Sequence, residues 1–295
     1  MPRRRIPERL VHLDRSLDAL PLFRLSDSVE EGAVHFVGDD GARWRVIAAP
    51  GERLPGTFDQ DVYLELCRRY LELGAPADGV FTFTLHAFLR AMGRRVDGRT
   101  YEQLRGALAR LERTLLESFG AYHVMKDGAP VPFDGRFSLL TSVVIERRRT
   151  ADREQLTLFE SLPGGEPGEA RVTLAAPLRA NLRDGHVTTL TLARWLALGS
   201  PVARRLYRLL GALRAAEGES PARLVRFALP RLAERLPLTQ RYPSHLQRVL
   251  QPAHDALLAG GVLDRAEIRQ EGREWIVEYA LGANEAADPA EFRTA

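Results

Sequence analysis

Lysine is almost missing: of 42 basic residues, all but Lys126 are arginine. A nucleotide-hydrolysing loop needs a lysine directly after a glycine-rich turn, whereas Lys126 follows Val124-Met125 in an alternating stretch, so no such loop is present. Cysteine is equally scarce. Cys67 stands alone within an apolar-periodic helix, which excludes a disulfide within the chain and a cysteine zinc site and reads as a buried structural thiol. The seven histidines, at positions 12, 35, 86, 123, 186, 245 and 254, contain no His-x-His pair of the kind that holds a metal beside a DNA-nicking tyrosine. They read as surface or cap residues, His254 included. No catalytic residue, metal or cofactor is expected, and the protein reads as a non-enzyme. No apolar run approaches the length of a membrane span, and the basic opening Met1 to Arg5 lacks the apolar core of a secretory signal, so a cytoplasmic, bacterial protein without membrane contact is expected.

What is present is a duplication. Val62 to Met92 matches Leu206 to Leu236 without a gap, pairing Tyr63, Leu66, Gly74, Phe83 and Leu85 with Tyr207, Leu210, Gly218, Phe227 and Leu229. After a shift of two residues, Leu104, Leu108 and Leu115 fall opposite Leu246, Leu250 and Leu257. A repeat at this distance, in a chain of 295 residues, predicts two similar domains rather than a solenoid. Charge is divided unevenly between them. Arg194 to Leu250 holds eleven arginines against Glu217, Glu219 and Glu234, a net +8, which leaves −5 for the rest of a chain whose total is +3. Such clustering points to an anionic partner, nucleic acid first.

Residues 1–30 form a basic and apolar leader, expected to be partly mobile. Ala33 to Val37 and Arg43 to Ala48 alternate around the turn chemistry of Gly38 to Gly41 and predict a hairpin. The first copy then offers a helix capped by Asp59 or Asp61 and running to about Leu73, a strand at Val80 to Phe83, a helix from Thr84 to Met92, and a long helix capped by Thr100. A hairpin of Ala121 to Met125 and Phe137 to Arg147 closes it. Pro163 to Gly168 cannot form regular structure, so 161–170 is the expected linker between a first domain at 31–160 and a second at 171–282, followed by a tail at 283–295. The second copy opens with strands at Arg171 to Leu174 and Val187 to Leu190. Helices follow at Thr191 to Leu198 and Ser200 to Ala216, then a strand at Val225 to Phe227 and a helix at Leu229 to Leu236. A third helix begins at Ser244, and a hairpin of Val262 to Ile268 and Glu274 to Leu281 ends the copy.

Three helices, a strand between the first two and a terminal hairpin describe a winged helix. The expected fold class is therefore α+β, mainly helical, with tandem winged-helix domains. In such a domain the third helix enters the major groove by its N-terminal turns, and the hairpin touches backbone or minor groove. On the second copy the outward residues are Ser244, His245, Gln247, Arg248 and Gln251, preceded by Arg241 and Tyr242, with Arg269 and Arg273 at the hairpin tip. Arginine can pair with guanine and glutamine with adenine through two hydrogen bonds each, while serine and tyrosine suit phosphates. The first copy offers Arg94, Arg95, Arg99, Thr100 and Gln103, but Glu102, Glu112 and Glu117 lower its basicity. The second domain is therefore the expected main reader of DNA and the first an auxiliary contact and dimerisation module.

Several stretches carry a resemblance: Leu54 to Val62, Phe83 to Arg94, Gly98 to Leu104, Ser200 to Tyr207 and Val249 to Ala253. Together they resemble plasmid replication initiators of the Rep type, particularly the replication initiator protein A family. The resemblance implies binding to direct repeats, or iterons, of double-stranded DNA at a plasmid origin. It further implies origin opening, a homodimer in equilibrium with monomer, recruitment of a host initiator and a replicative helicase, and association with nucleoid or plasmid. A transcriptional repressor or partition regulator uses the same fold, since fold does not fix function. A more distant alternative rests on His245-x-x-Arg248 followed by Trp275 and Tyr279, which resembles the catalytic run of tyrosine recombinases. Against it, Trp275 and Tyr279 lie four apart in an alternating strand and would pack on one face, and no lysine is near to protonate a leaving oxygen.

Overall fold

The computed structural model describes residues 9–25, 33–145, 169–216 and 224–282. The first eight residues, most of the expected linker and the tail fall outside these. Nine helices and twelve strands occupy the described residues, so the fold is α+β with strand far better represented than a mainly helical reading allows.

Residues 9–25 of the leader are part of the fold. Strand β1 (Leu10–Asp14) runs into a short helix α1 (Arg15–Ala19), where the Asp14 carboxylate accepts from the Leu17 amide at 2.9 Å as an N-cap. Val11, Leu13, Leu17, Leu20, Leu22 and Phe23 are all buried in the core. Strands β2 (Ala33–Val37) and β3 (Arg43–Ile47) form the expected hairpin. Helix α2 (Thr57–Glu72) starts at Gly56 rather than at either aspartate, because Asp59, three residues in, accepts the Gly56 amide at 2.6 Å. Strand β4 (Val80–Thr84) and helix α3 (Leu85–Ala91) follow. Helix α4 (Gly98–Arg113) is capped by Asp97, not Thr100: the Thr100 amide donates to Asp97 at 2.9 Å and the Thr100 hydroxyl accepts from the Asp97 amide.

Beyond α4 the expected closing hairpin is not the one formed. Strand β5 (Leu115–Lys126) turns at Asp127-Gly128 into β6 (Ala129–Phe137), and the two join β2 and β3 in a four-stranded sheet ordered β2-β3-β5-β6. Strand β7 (Leu140–Ile145) leaves for another sheet, where it pairs with β8 (Glu169–Leu174), which pairs in turn with β4. The strand expected to open the second domain thus pairs with two strands of the first, and most of the expected linker, 161–168, lies outside the described residues.

Helix α5 (Ala176–Arg183), unforeseen in the sequence, leads to β9 (Val187–Thr191), α6 (Leu192–Ala197) and α7 (Pro201–Ala216). Next come β10 (Leu224–Ala228), α8 (Leu229–Arg235), α9 (Pro243–Ala259), β11 (Leu263–Glu271) and β12 (Glu274–Leu281). The duplication is now explicit in topology. In both copies the short strand between the first two helices lies at one edge, the last strand is central and its predecessor is outermost: β4-β8-β7 and β10-β12-β11.

The repeat also extends upstream of where the sequence shows it. β1 and β9 pair antiparallel from Leu10↔Thr191 to Asp14↔Val187, so His12 and Thr189 meet at the centre, their side chains 3.0 Å apart. Each strand runs into a short helix, and each junction is held alike: the Asp14 amide donates to the Tyr63 hydroxyl at 3.3 Å, the Thr191 amide to the Tyr207 hydroxyl at 3.1 Å. The two matched tyrosines hold equivalent places, and the copies meet across a local two-fold relation centred on this ladder.

Charge breaks that symmetry. Where α2 presents Gln60 and Asp61, α7 presents Arg204, Arg205 and Arg208. Arg208, fully buried, donates to Asp18 at 2.8 and 2.5 Å and to Gln60 at 3.0 Å, and its guanidinium covers the rings of Phe23 and Tyr63. Arg205 spends its donors on the carbonyls of Asp18, Leu20 and Arg235, and burial lowers its pKa to about 9. Arg204 bonds Asp61 at 2.9 Å. Nearby, the Asn181 amide donates to Asp14, Tyr122 and the His123 carbonyl at 2.8 to 2.9 Å and accepts from the Met125 amide at 2.7 Å, which ties α5, β1 and β5 together.

Two histidines expected at the surface are buried. His186 accepts or donates within a pair of 2.9 Å contacts to Arg15 and Ser16, and His254 lies 2.9 Å from the Tyr279 hydroxyl. Burial lowers both pKa values to about 4. In the unfolded chain each would take a proton near pH 6.5, whereas the folded protein resists until about pH 4. Their contribution to stability is therefore complete above pH 6.5 and is lost as pH falls towards 4. Relative to His254→Gln, the wild type is expected to gain on the order of 2–3 kcal/mol between pH 4 and 6.5 and nothing above, measured by urea unfolding at each pH. A difference that is flat with pH would contradict the buried neutral histidine.

Candidate nucleic-acid interface

Helix α9 begins at Pro243 with Tyr242 as its N-cap residue, one position earlier than expected, and Pro252 sits inside it. Leu246, Leu250, Ala253, His254 and Leu257 turn inward, which leaves Ser244, His245, Arg248 and Gln251 exposed, with Gln247 half-buried beside them. Arg241 and Tyr242 precede this stripe; Tyr242 is 70% exposed and packs edge-on against His245. Arg248 makes no hydrogen bond or ion pair with the described residues, whereas Gln251 donates to Asp255 at 2.8 Å and Arg241 reaches the Leu238 carbonyl only at 3.5 Å. No side chain caps the helix and its first turn carries no carboxylate, so the Ser244 amide and the positive end of the helix dipole face outward.

Helix α4 presents a poorer version of the same arrangement. Arg95, Arg99 and Gln103 are exposed. Thr100 is occupied by its cap, and the Asp97 carboxylate, held below its usual pKa by the Thr100 amide, stands at the helix end where an anion would bind. Arg94 is engaged by Asp61 at 2.5 Å, the same carboxylate that accepts from Arg204. Further along, Arg110 is fixed by Asp59 at 2.7 Å and Arg113 by Glu52 at 2.5 Å.

The second hairpin corrects the expectation for Arg269. It lies within β11, opposite Ile276, and donates to Glu267, Glu271 and Glu278 at 3.5, 2.8 and 3.2 Å. Arg265 with Glu278 and Arg226 with Glu271 complete a ladder in which three arginines and three glutamates cancel. Arg273 alone is exposed at the tip without a partner among the described residues. Trp275 and Tyr279 do share the inward face. The Tyr279 hydroxyl is buried against His254, and burial raises its pKa far above the usual value, an environment unlike that of an exposed nucleophile beside Arg248.

Most of the clustered arginines that marked the second copy therefore have internal roles. Arg204, Arg205 and Arg208 hold the seam between the copies, Arg214 donates to the Gly282 carbonyl at 2.9 Å, and Arg226 joins the ladder. Arg231 grips Val37 and Asp39 of the first copy at 2.8 and 2.7 Å, and Arg235 covers Phe36. Arg223 lies outside the described residues. The signal for this was present in the i, i+1 and i+4 spacing of Arg204, Arg205 and Arg208 on an otherwise apolar helix, which puts charge on a face that has to be buried.

A profile of a family described as Replication initiator protein A matches residues 13–242. The chain belongs to the replication initiator protein A family. The match starts inside β1 and ends at Tyr242, so it includes α1 and the seam arginines and stops immediately before α9. No curated protein sequence matches this initiator. Its fold resembles a crystal structure of domains 2 and 3 of RctB, with TM-score 0.56 and 12% identity over 90% of this chain and 95% of that one. A second crystal structure of RctB domains 2 and 3 gives TM-score 0.48, also at 12% identity, over 91% and 96%. Family membership gives the protein a role in the initiation of DNA replication. Among the described residues no helix is long and apolar enough to cross a membrane, and no cluster of histidine, cysteine and carboxylate residues is arranged to hold a metal.

Proposed function

We propose that this initiator binds double-stranded DNA through two winged helices and reads direct repeats at a plasmid origin chiefly with α9. The observation that carries this reading is the contrast between the two third helices. α9 has an open, uncapped N-terminus followed by Ser244, His245, Gln247 and Arg248, a set able to hold a phosphate at the helix end and base edges beyond it. α4 closes its own N-terminus with Asp97, which restricts Arg95, Arg99 and Gln103 to an auxiliary contact along the adjacent duplex. Arg273 adds a phosphate contact from the tip of the second wing; Arg269 does not, because its charge is spent. Pairing between copies through the first domain, origin opening and recruitment of a host initiator and helicase follow from the family and complete the proposal. The protein catalyses no step in it.

The test is a gel-shift titration on duplexes bearing the repeats that adjoin the coding region. Successive bands, one for each direct repeat, are expected. Tight binding confined to a single inverted repeat would instead identify a repressor.

A further inference from the structure

Among the described residues the four-stranded sheet β2-β3-β5-β6 has no counterpart in the second copy, where α9 passes directly through Gly261 to β11. Its inner face supplies Trp44, Tyr122 and Phe137 to the core. The outer face is ordered in rows. His35 stands opposite Arg45, Arg45 opposite Glu117, and Glu117 opposite Arg136, one residue from each strand. Glu117 is only 3% exposed, yet it accepts from Arg45 at 3.0 Å and from Arg136 at 2.6 Å, while those two side chains are 44% and 66% exposed. A single covered carboxylate thus fixes two guanidiniums side by side, taking one nitrogen of each and leaving their other donors to solvent. In the next row Arg43 lies over the exposed ring of Phe119, 4.7 Å from its centre. Three arginines face only Glu117 and Asp134 here, whereas the ladder on β11 and β12 matches every arginine with a glutamate.

This row connects with the reading end of the second copy. His35 and Val37 of β2 line a cleft of ≈ 330 Å³ together with Arg231, Gln240, Arg241 and Leu246, the last three lying in the turn before α9 and in its first turn. His35 thus belongs both to the cleft beside Arg241 and to the row that holds the paired arginines. We propose that the outer face of this sheet is a second, sequence-independent contact that holds the phosphate backbone of double-stranded DNA flanking the segment read by α9. Pre-positioned guanidiniums lose little side-chain entropy when they bond a phosphate, and each phosphate neutralised steepens the dependence on salt.

The inference rests on the assignment of α9 as the reader, and the experiment separates the two. Fluorescence anisotropy compares the full chain on a duplex of one repeat and on the same repeat extended by about one helical turn on each side, over a series of salt concentrations. The variant Arg45→Gln/Arg136→Gln keeps donors for Glu117 while removing both charges, and its thermal unfolding is measured in parallel to verify that the sheet is intact. Wild type is expected to bind the extended duplex at least several-fold more tightly, with a salt slope steeper by about 2. The double variant is expected to lose that gain and that slope while binding the short duplex as wild type does. An unchanged ratio of long to short affinity in the variant overturns the proposal, as does an equal loss on both duplexes or a gain obtained only with single-stranded extensions. Arg248→Ala reports on the reader independently: if it leaves short-duplex binding intact, the assignment of α9 fails, whatever the flanks do.

Discussion

Arg208→Ala is expected to destabilise the protein by about 3–5 kcal/mol, because it strands the Asp18 carboxylate inside the seam. Asp18 is wholly buried, accepts from Arg208 at two nitrogens, and is pushed towards its neutral form by burial, with Arg208 opposing that shift. Removal of the guanidinium also uncovers the rings of Phe23 and Tyr63 and unpairs Gln60, so the two copies should come apart as the variant unfolds. Urea unfolding followed by tryptophan fluorescence measures the loss, since Trp44 and Trp195 are both buried. Asp18→Asn/Arg208→Met, which takes out both charges, should recover most of the stability. If the single variant loses less than about 1 kcal/mol, a figure typical of exposed ion pairs, the seam is not the buried ionic contact described.

Asn181→Leu should also destabilise the protein. The side chain is nearly isosteric, so the packing volume is kept, but four partners lose their hydrogen bond: Asp14, the Tyr122 hydroxyl, the His123 carbonyl and the Met125 amide. Asp14 keeps the Tyr122 hydroxyl and the Leu17 amide, and the His123 carbonyl keeps the Ser16 hydroxyl, so the Met125 amide is the group left unpaired, at a cost of about 1–3 kcal/mol, while Asp14, whose pKa burial already raises to about 7, loses one of three donors. Amide hydrogen exchange should accelerate across β1 and β5 before the second copy is affected. Retained protection at Leu17 and Tyr122 would show that the network contributes little.

How far the sequence disclosed this can be judged at particular residues. Tyr63 and Tyr207 were correctly matched, since a buried tyrosine with a hydroxyl aimed at a strand-to-helix junction leaves the same periodic trace in both copies. The order of helices and the short strands β4 and β10 were legible for the same reason: their apolar periods are local. Sheet partners were not, because strand pairing is set over long distances. β8 pairs with β4 across some ninety residues, and a Pro-Gly run nearby reads identically whether it joins two domains or two strands of one sheet. Asp127-Gly128, both at positive φ, is a hairpin turn, and Pro130 and Pro132 weaken the strand signal of the segment that follows it. They are tolerated because β6 is an edge strand.

Charge was the least transparent quantity. Composition registers arginines without distinguishing one that meets a carboxylate from one that meets solvent, and a net excess in one stretch can be balanced in space by acids from another. Asp18, Asp39 and Asp61 come from the leader and first copy to meet Arg208, Arg231 and Arg204 of the second. The proposed reading face of α9 keeps its support on local grounds: its exposed stripe, its open N-terminus and the absence of a partner for Arg248 among the described residues.

Arg248 therefore tests the account most directly. Anisotropy titrations of wild type and Arg248→Ala on a duplex bearing the cognate repeat and on a random duplex, at one salt concentration, give the change in discrimination. The account predicts a loss of about 1–3 kcal/mol on the cognate repeat with little change on random DNA. Equal losses on both would make Arg248 a phosphate contact and remove its reading role, and unchanged binding on the repeat would contradict α9 as the reader of DNA.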